Sequence, residues 1–142
     1  MKTQGFFLLI ICLFAILSTS CKKNESVPSG LLKKWTLVSV QDNKSTYIIQ
    51  YPDSILKKET IEFTNDLTIV ILGVCNGGNA DFFVKNDSLG IDNIAVSLKM
   101  CSSYLWESYL INNLDSAYSY SLISNQLIIF SKGKSNLIFK HI

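Results

Sequence analysis

Short apolar and β-branched runs recur from residue 31 onward, and residues that favour turns separate each run from the next. The clearest example is the pair of runs at 60–63 and 67–72, which flank Thr64, Asn65 and Asp66. Further runs lie at 31–40, 82–84, 89–96, 118–123, 127–130 and 136–140. This pattern predicts a mainly β domain, either a curled antiparallel sheet or a small β-barrel.

The run at 31–40 has the alternation of a strand with two different faces. Trp35 and Leu37 fall on one face, and Val38 and Val40 fall on the other. We therefore predict that this run forms the first strand of the domain.

Two later stretches are less regular. Segment 47–51 is either a short strand that ends before Pro52 or a packed loop. Gly77 and Gly78 follow the 67–72 run, and because glycine tolerates positive φ we expect a tight turn there.

Segment 102–114 is the one stretch with clear helical periodicity. Its apolar residues form two adjacent rows, with Leu105 and Tyr109 in one and Trp106, Leu110 and Leu114 in the other. Glu107 lies near the N-terminal end, where the helix dipole favours an acidic side chain. We expect the rows to contact the core, which gives a mainly β fold with one packed α-helix.

Residues 1–20 have the features of an export signal. Lys2 supplies a positive charge, the 12 residues 6–17 are all apolar, and small polar residues precede Cys21. An apolar run of this length is too short to cross a hydrocarbon core of about 30 Å, which favours a cleaved signal peptide over a transmembrane helix. We predict that Cys21 accepts lipid, that residues 21–30 form a polar tether, and that the domain spans 31–142.

The alternative is an ordinary secretory signal that leaves Cys21 as a free thiol. A lone exposed thiol is readily oxidised, and for this reason we favour lipidation of Cys21. Two or three acyl chains on Cys21 would give permanent attachment, because each buried methylene contributes about 0.8 kcal/mol and one short chain binds only reversibly. We expect a lipid-anchored protein of the cell envelope, in the outer membrane and facing the periplasm.

Cys75 and Cys101 are the cysteines that would remain in the mature domain. In an oxidising compartment they can form a disulfide, which would close a loop of about 27 residues and stabilise the fold by roughly 3 to 4 kcal/mol. Two separate buried thiols are the alternative, because sequence alone does not give the distance between the two Cα atoms. A metal site built from Cys75, Cys101 and His141 lacks the closely spaced ligand pairs of zinc sites, and we expect no metal.

Charge and motifs argue against several classes of function. Without Lys2, 12 lysines and 11 acidic residues leave a net charge of +1, spread along a chain without arginine, so we expect no nucleic-acid binding. The only histidine, His141, is penultimate, and no nucleophile motif or phosphate-binding loop is present. Glu59 and Glu62 would point to opposite faces of a strand, and we interpret them as solvated charges. We expect no catalytic or cofactor-binding residues, and hence no enzyme.

Four motifs occur in order along the chain: 34–40 (KWTLVSV), Cys75-Asn76-Gly77-Gly78, Met100-Cys101 before a helix that contains Glu107, and a strand-rich tail at 118–139. Their order and spacing resemble the META domain family, the HslJ-like envelope lipoproteins, over nearly all of residues 31–142. Where that family has threonine, any residue, methionine, alanine and cysteine, this chain has Ser97-Leu98-Lys99-Met100-Cys101, and Ser97 keeps the hydroxyl.

The resemblance implies a mainly antiparallel, barrel-like β fold with a packed helix. It also implies an envelope protein linked to heat or antibiotic stress, with no established catalytic residues. The leading hypothesis is therefore a non-catalytic lipoprotein that binds another component of the envelope, with the membrane as its second partner through the lipid anchor.

The alternative function is a lipocalin-like carrier of a small apolar ligand, because lysine, tryptophan, threonine and leucine at 34–37 also open such barrels. The interior of a small barrel is usually filled by side chains. We therefore expect Phe63, Phe82, Tyr118 and Tyr120 to pack the core and not to line a pocket.

Overall fold

The computed structural model describes residues 26–99, 104–133 and 135–141, which form an antiparallel β-barrel and one helix. The strands are β1 Lys34–Asp42, β2 Ile48–Gln50, β3 Thr60–Phe63, β4 Thr68–Leu72, β5 Gly77–Lys85, β6 Ser88–Val96, β7 Ala117–Ile123, β8 Gln126–Ser131 and β9 Ser135–His141. The helix, α1, spans Tyr104–Leu114. The mainly β fold with one packed helix is thus confirmed.

The barrel closes at β1. Eight strands follow one another in the order β1, β3, β4, β5, β6, β7, β8 and β9, and β9 returns to pair with β1. The other edge of β1 is shared, because residues 34–36 pair with β3 and residues 39–41 pair with β2. The short strand β2 therefore lies outside the closed ring and confirms the strand alternative for segment 47–51.

Because neighbouring strands are antiparallel, the connections alternate between two ends of the barrel. At the end we call the tether end, the chain enters β1 from Gly30, and tight turns join β3 to β4, β5 to β6 and β7 to β8. At the opposite, helical end lie α1 and the segments 43–47, 51–59 and 73–76. Gly30 lies near the side chain of Leu122 in the last part of β7, which places the start of the domain at the tether end.

Apolar side chains from every strand of the ring fill the interior. The largest fully buried ones include Trp35, Phe63 and Phe139, each at most 2% exposed. The buried face of α1, formed by Trp106, Leu110 and Leu114, belongs to the same cluster and closes the helical end. Leu105 is 62% exposed, so the predicted core contact of its row is wrong for this residue.

Two β-bulges reverse the side of the sheet on which certain residues lie, compared with the strict alternation that the sequence predicts. A register shift between Leu37 and Ser39 brings Val40 to the buried side with Trp35, whereas alternation placed it opposite. A second shift between Ala117 and Ser119 leaves Tyr118 47% exposed, so the expected packing of this side chain in the core is also wrong.

Phe63, Phe82 and Tyr120 are buried as expected. The bulges explain the two errors, because each adds one residue to a strand and reverses the alternation beyond it.

Gly77 and Gly78 are not in a turn with positive φ but begin β5. The requirement at Gly78 is space, since a Cβ there would overlap the backbone carbonyl of Ala95 on β6. The glycine therefore permits a close approach of two strands.

Candidate functional site

The helical end contains a polar network centred on Asn76, in the β4–β5 connection. The Asn76 side-chain oxygen accepts hydrogen bonds from the Ser97 hydroxyl at 3.0 Å and the Lys99 amide at 2.6 Å. Its side-chain nitrogen donates to the Lys99 carbonyl at 3.0 Å and to Glu107 Oε2 at 2.9 Å. The Asn76 backbone amide donates to Glu107 Oε1 at 2.7 Å. One side chain thus joins the β4–β5 connection, the segment after β6 and helix α1.

Gly73 allows this network to form. Its amide donates to the Asn76 carbonyl at 2.7 Å, which closes the turn between β4 and β5. A Cβ at position 73 would overlap both that carbonyl and the Glu107 carboxylate. Glu107 is buried, with 6% of its surface exposed. Its carboxylate occupies the space that any side chain larger than glycine would fill at position 73.

A second buried carboxyl, that of Glu59, lies beneath the helix. Glu59 is fully buried, so its interpretation as a solvated charge is wrong. Glu59 directly precedes β3, and it lies two and four residues before Ile61 and Phe63, which face the core. It therefore faces the core as they do, whereas Glu62 points outward. The expectation that the two carboxylates face opposite sides is confirmed.

Glu59 interacts with Tyr51 and Glu107. Burial raises the pKa of the Glu59 carboxyl above its ordinary value, and the Glu107 charge adds to the rise. Burial also raises the pKa of the Tyr51 hydroxyl, with the neighbouring Glu59 as the next cause. Neither Glu59 oxygen nor the Tyr51 hydroxyl has a partner in hydrogen-bonding geometry. Burial therefore disfavours the ionised form of the Glu59 carboxyl.

Tyr51, the neighbour of Glu59, also contacts an aromatic ring and a cation. The rings of Tyr51 and Trp106 lie 4.6 Å apart between centroids, and the Lys58 ammonium lies 5.5 Å from the centre of the Tyr51 ring. Lys58 is also 3.4 Å from Asp53, which is fully exposed. The Lys58 ammonium thus pairs with a carboxylate at the surface.

A second polar network joins the C-terminal part of α1 to the β8–β9 connection. Asn113 Oδ1 accepts from the Ser131 hydroxyl at 3.3 Å and from the Ser135 amide at 3.1 Å. The Ser116 and Ser131 hydroxyls pair at 2.6 Å. Both ends of the helix are therefore fixed to the barrel by hydrogen bonds between residues distant in sequence.

A cavity of about 100 Å³ lies between the end of β6 and α1. It is lined by apolar and polar side chains: Ile71, Asn76, Val96, Ser97, Leu98, Glu107, Ser108, Ile111 and Asn112. Leu98, at its rim, is 92% exposed. Such a mixed lining is typical of a small recognition pocket.

Exposed large apolar side chains collect at the same end. Among the described residues, those at the helical end are Tyr47, Ile48, Leu56, Leu72, Leu98, Leu105 and Tyr118. Leu67, Phe83 and Ile123 lie in the tether-end half or in its turns. The helical end thus carries more of these side chains than the tether end.

The predicted site residues fall in different places. Cys21 and Cys101 lie outside the described residues, so lipidation and the disulfide stay predictions. The sulfur of Cys75 lies 3.6 Å from the Lys99 carbonyl, at the helical end. His141 is half-buried against Trp35, with ring centroids 5.8 Å apart, at the tether end. Cys75 and His141 are therefore too far apart to bind one metal ion.

The described residues contain no cluster of three or more His, Cys, Asp or Glu side chains arranged to hold a metal ion. In this part of the chain, no helix has the length and hydropathy needed to cross a membrane either. Trp35, Phe63 and Phe139 occupy the interior of the barrel, as is usual for a small barrel filled by side chains.

The fold is that of a small closed antiparallel barrel, with one helix closing an end. The META domain profile matches residues 30–141, and the chain belongs to the META domain family. The suspected family is thereby confirmed.

Solved structures share the fold at low sequence identity. A protein of the DUF4847 family from Bacteroides vulgatus ATCC 8482 is 18% identical, with a TM-score of 0.60 over 79% of this chain and 94% of that one. A protein from Burkholderia xenovorans is 12% identical, with a TM-score of 0.64 over 78% of this chain and 82% of that one. No curated protein matches the chain in sequence. These likenesses support the fold and carry no function with them.

The residues that suggested the family now have a structural explanation. Ser97 and Glu107 lie 21 and 31 residues after Asn76 in the sequence, yet all three residues form one network. Sequence reasoning singled them out as motif positions but did not predict their contact. The burial of Glu59 had a signal in the sequence, because alternation from Ile61 and Phe63 leads inward at position 59.

Proposed function

We propose that the protein is a non-catalytic lipoprotein of the cell envelope, held by acyl chains on Cys21, that acts by binding another envelope component. The observation that carries the proposal is the collection of exposed apolar side chains at the helical end, opposite the end at which the chain from Cys21 enters the barrel. Large exposed apolar patches are typical of interaction surfaces.

The position of the tether supports this arrangement. Val27 packs against the core and the Leu31 amide donates to the Pro28 carbonyl, so residues 21–26 would form the free part of the tether, which spans about 20 Å when fully extended. With the lipid in the outer membrane, the tether end would face the bilayer and the helical end would face the periplasm. A partner could then reach the apolar surface without competition from lipid.

A disulfide between Cys75 and Cys101 belongs to the proposal. Cys75 lies beside the carbonyl of Lys99, two residues before Cys101 in the chain. The bond would fix the segment after β6 to the β4–β5 connection, next to the Asn76 network. A stress-related role is consistent with such covalent support of the binding end, as it is with the family resemblance.

Intact mass measurement of protein from its native host tests the anchor. We expect a chain that begins at Cys21 and carries two or three acyl groups, whereas a Cys21→Ser variant should leave the membrane fraction. An uncleaved first segment, or a mature chain without acyl groups, would contradict the anchor.

Affinity purification from solubilised envelopes tests the binding role. Wild-type protein should enrich a partner, and Leu98→Asp with Leu105→Asp should lose it. The control, Leu67→Asp with Ile123→Asp, changes two exposed apolar residues at the tether end and should keep the partner. A wild-type sample that enriches nothing above the untagged control would count against a binding function.

A further inference from the structure

Strand β6 has one largely unpaired edge. On one side it pairs with β5 along its length, from Ser88 to Val96. On the other side its register with β7 contains the single pair Ser88 and Ser119. Beyond this pair, no described strand pairs with residues 90–96 on that side. An unpaired edge of this kind is a template for an added strand.

A bulge divides this edge into two parts. Asn93 has a φ of 53°, and the register between β5 and β6 shifts next to it. The Asn93 side chain donates to Asp81 Oδ2 at 2.7 Å, which holds the bulge in place. Residues 94–96 then continue as regular strand towards the helical end.

The cavity beside α1 lies at the end of this edge. Val96 belongs to both the strand and the cavity wall, and Ile111 faces it from the helix. A volume of about 100 Å³ corresponds to roughly three waters, which is the size of one branched aliphatic side chain. An extended segment alongside β6 could place one apolar residue there.

The surroundings of the edge are acidic. Asp81 on β5 and Asp92 on β6 are both exposed and lie opposite one another in the register of the two strands. The one ion pair found in the described part of the chain, between Lys58 and Asp53, involves neither of them. The Asn93 side chain donates to Asp81, so a lysine or arginine in an added segment would meet the carboxylate of Asp92.

The described chain enters the barrel at Gly30, beside Leu122 at the tether end. The edge formed by residues 90–96 runs towards the opposite, helical end, away from the membrane to which the proposed lipid anchor would attach the protein.

We propose that residues 90–96 of β6 and the cavity beside α1 form a docking groove for an extended, basic and apolar segment of another envelope protein. The segment adds to β6 as a strand, places an apolar side chain between Val96 and Ile111, and directs a basic side chain to Asp92. This inference rests on the proposed binding function and specifies its site and the chemistry of the partner.

Photo-crosslinking of the full-length lipoprotein in its native host tests the site. A photoreactive phenylalanine analogue would replace Leu98 or Asn112 at the groove, and Leu67 or Ile123 at the tether end as controls. We expect crosslinks from the groove positions only, and mass spectrometry should place them in an extended segment that contains lysine or arginine.

The other outcomes are distinct. Crosslinks to a partner from the tether-end positions alone would overturn the groove and leave the binding function standing. Crosslinks from none of the four positions, in a strain that makes the protein at its normal level, would count against both.

The charge and the strand addition have their own tests. Asp92→Lys should lower the groove crosslinking yield about fivefold at low salt, while Glu62→Lys, on a distant strand, should not change it. A synthetic peptide with the crosslinked sequence should bind the purified protein, and methylation of alternate backbone nitrogens should weaken binding at least about tenfold. Equal binding of the methylated peptide would overturn strand addition.

Discussion

The tether end of the barrel is closed by short hairpins, whereas the helical end combines two short connections, β4–β5 and β8–β9, with the longer segment 51–59 and the helix. Three of the four described non-glycine residues with positive φ, Leu67, Asn86 and Ser124, lie in the tether-end turns. At the helical end, the main side-chain hydrogen bonds join residues far apart in sequence, such as Asn76 with Glu107 and Asn43 with Ser131.

The two ends of the barrel therefore have different structural roles. The hairpins are determined locally and serve to bring consecutive strands together. The helical end depends on contacts between distant segments, exposes the apolar side chains and contains the buried carboxyl groups. Long connections on a rigid scaffold are where binding residues are usually found. Four changes test whether the two ends differ as described.

The largest effect should come from the buried face of the helix. Leu110 is fully buried, and Leu110→Ala should lower the free energy of unfolding by about 3 to 4 kcal/mol through lost burial and a residual cavity. Leu105→Ala, on the exposed face, should change it by less than about 0.5 kcal/mol. Urea unfolding followed by tryptophan fluorescence measures both. Equal effects would mean that α1 is not part of the core.

Reduction of the proposed disulfide should have the next largest effect. If Cys75 and Cys101 are bridged, a reductant should lower the free energy of unfolding by about 3 kcal/mol. The double variant Cys75→Ala with Cys101→Ala should be equally destabilised and insensitive to reductant. Wild-type protein whose stability does not respond to reductant would show that the thiols are separate.

Loss of the Asn76 network should destabilise the helical end. Asn76→Ala removes four side-chain hydrogen bonds, including one to the buried Glu107 carboxylate, and should cost about 2 kcal/mol. Asn125→Ala, in a tether-end turn, is the control and should cost less than about 0.5 kcal/mol. Hydrogen exchange should show faster exchange in α1 for the first variant alone; uniform acceleration throughout the barrel would argue against a local role.

The smallest effect is expected at Glu59, and its sign depends on pH. The folded-state pKa of Glu59 is raised, so the unfolded chain loses this proton more readily and stability falls as pH rises above about 4.5. Glu59→Gln should therefore be more stable than wild type at pH 8, by about 1 kcal/mol, and show little difference at pH 4. Thermal unfolding across this range measures the difference. Glu62→Gln, an exposed control, should follow the wild-type profile; if Glu59→Gln does so too, the carboxyl is not desolvated.

Sequence reasoning succeeded mainly where structure is local. The turn clusters at 64–66, 86–87 and 124–126 identified the tether-end hairpins, because asparagine, aspartate and serine favour turns through their own backbone hydrogen bonds. The buried row of Trp106, Leu110 and Leu114 was also predictable from helical spacing. These features need information from only a few neighbouring residues.

The helical end was less predictable because its features depend on distant segments. Gly78 is needed for the approach of Ala95, and no local rule indicates this. The bulges after Leu37 and Ala117 reverse the alternation, so Val40 and Tyr118 took the opposite face from the one expected. The contact between Asn76 and Glu107 required the folded topology.

The closure of the ring at β1 has a consequence for how the chain acquires its structure. Trp35 pairs with His141, about 100 residues later, so the earliest strand to emerge gains its β9 neighbour only after every other strand exists. Bringing such distant segments together is entropically costly and makes folding slow. Until β9 is in place, β1 and β8 each present an edge of unpaired backbone N–H and C=O groups, and a chain interrupted before Ser135 would be prone to self-association through these edges.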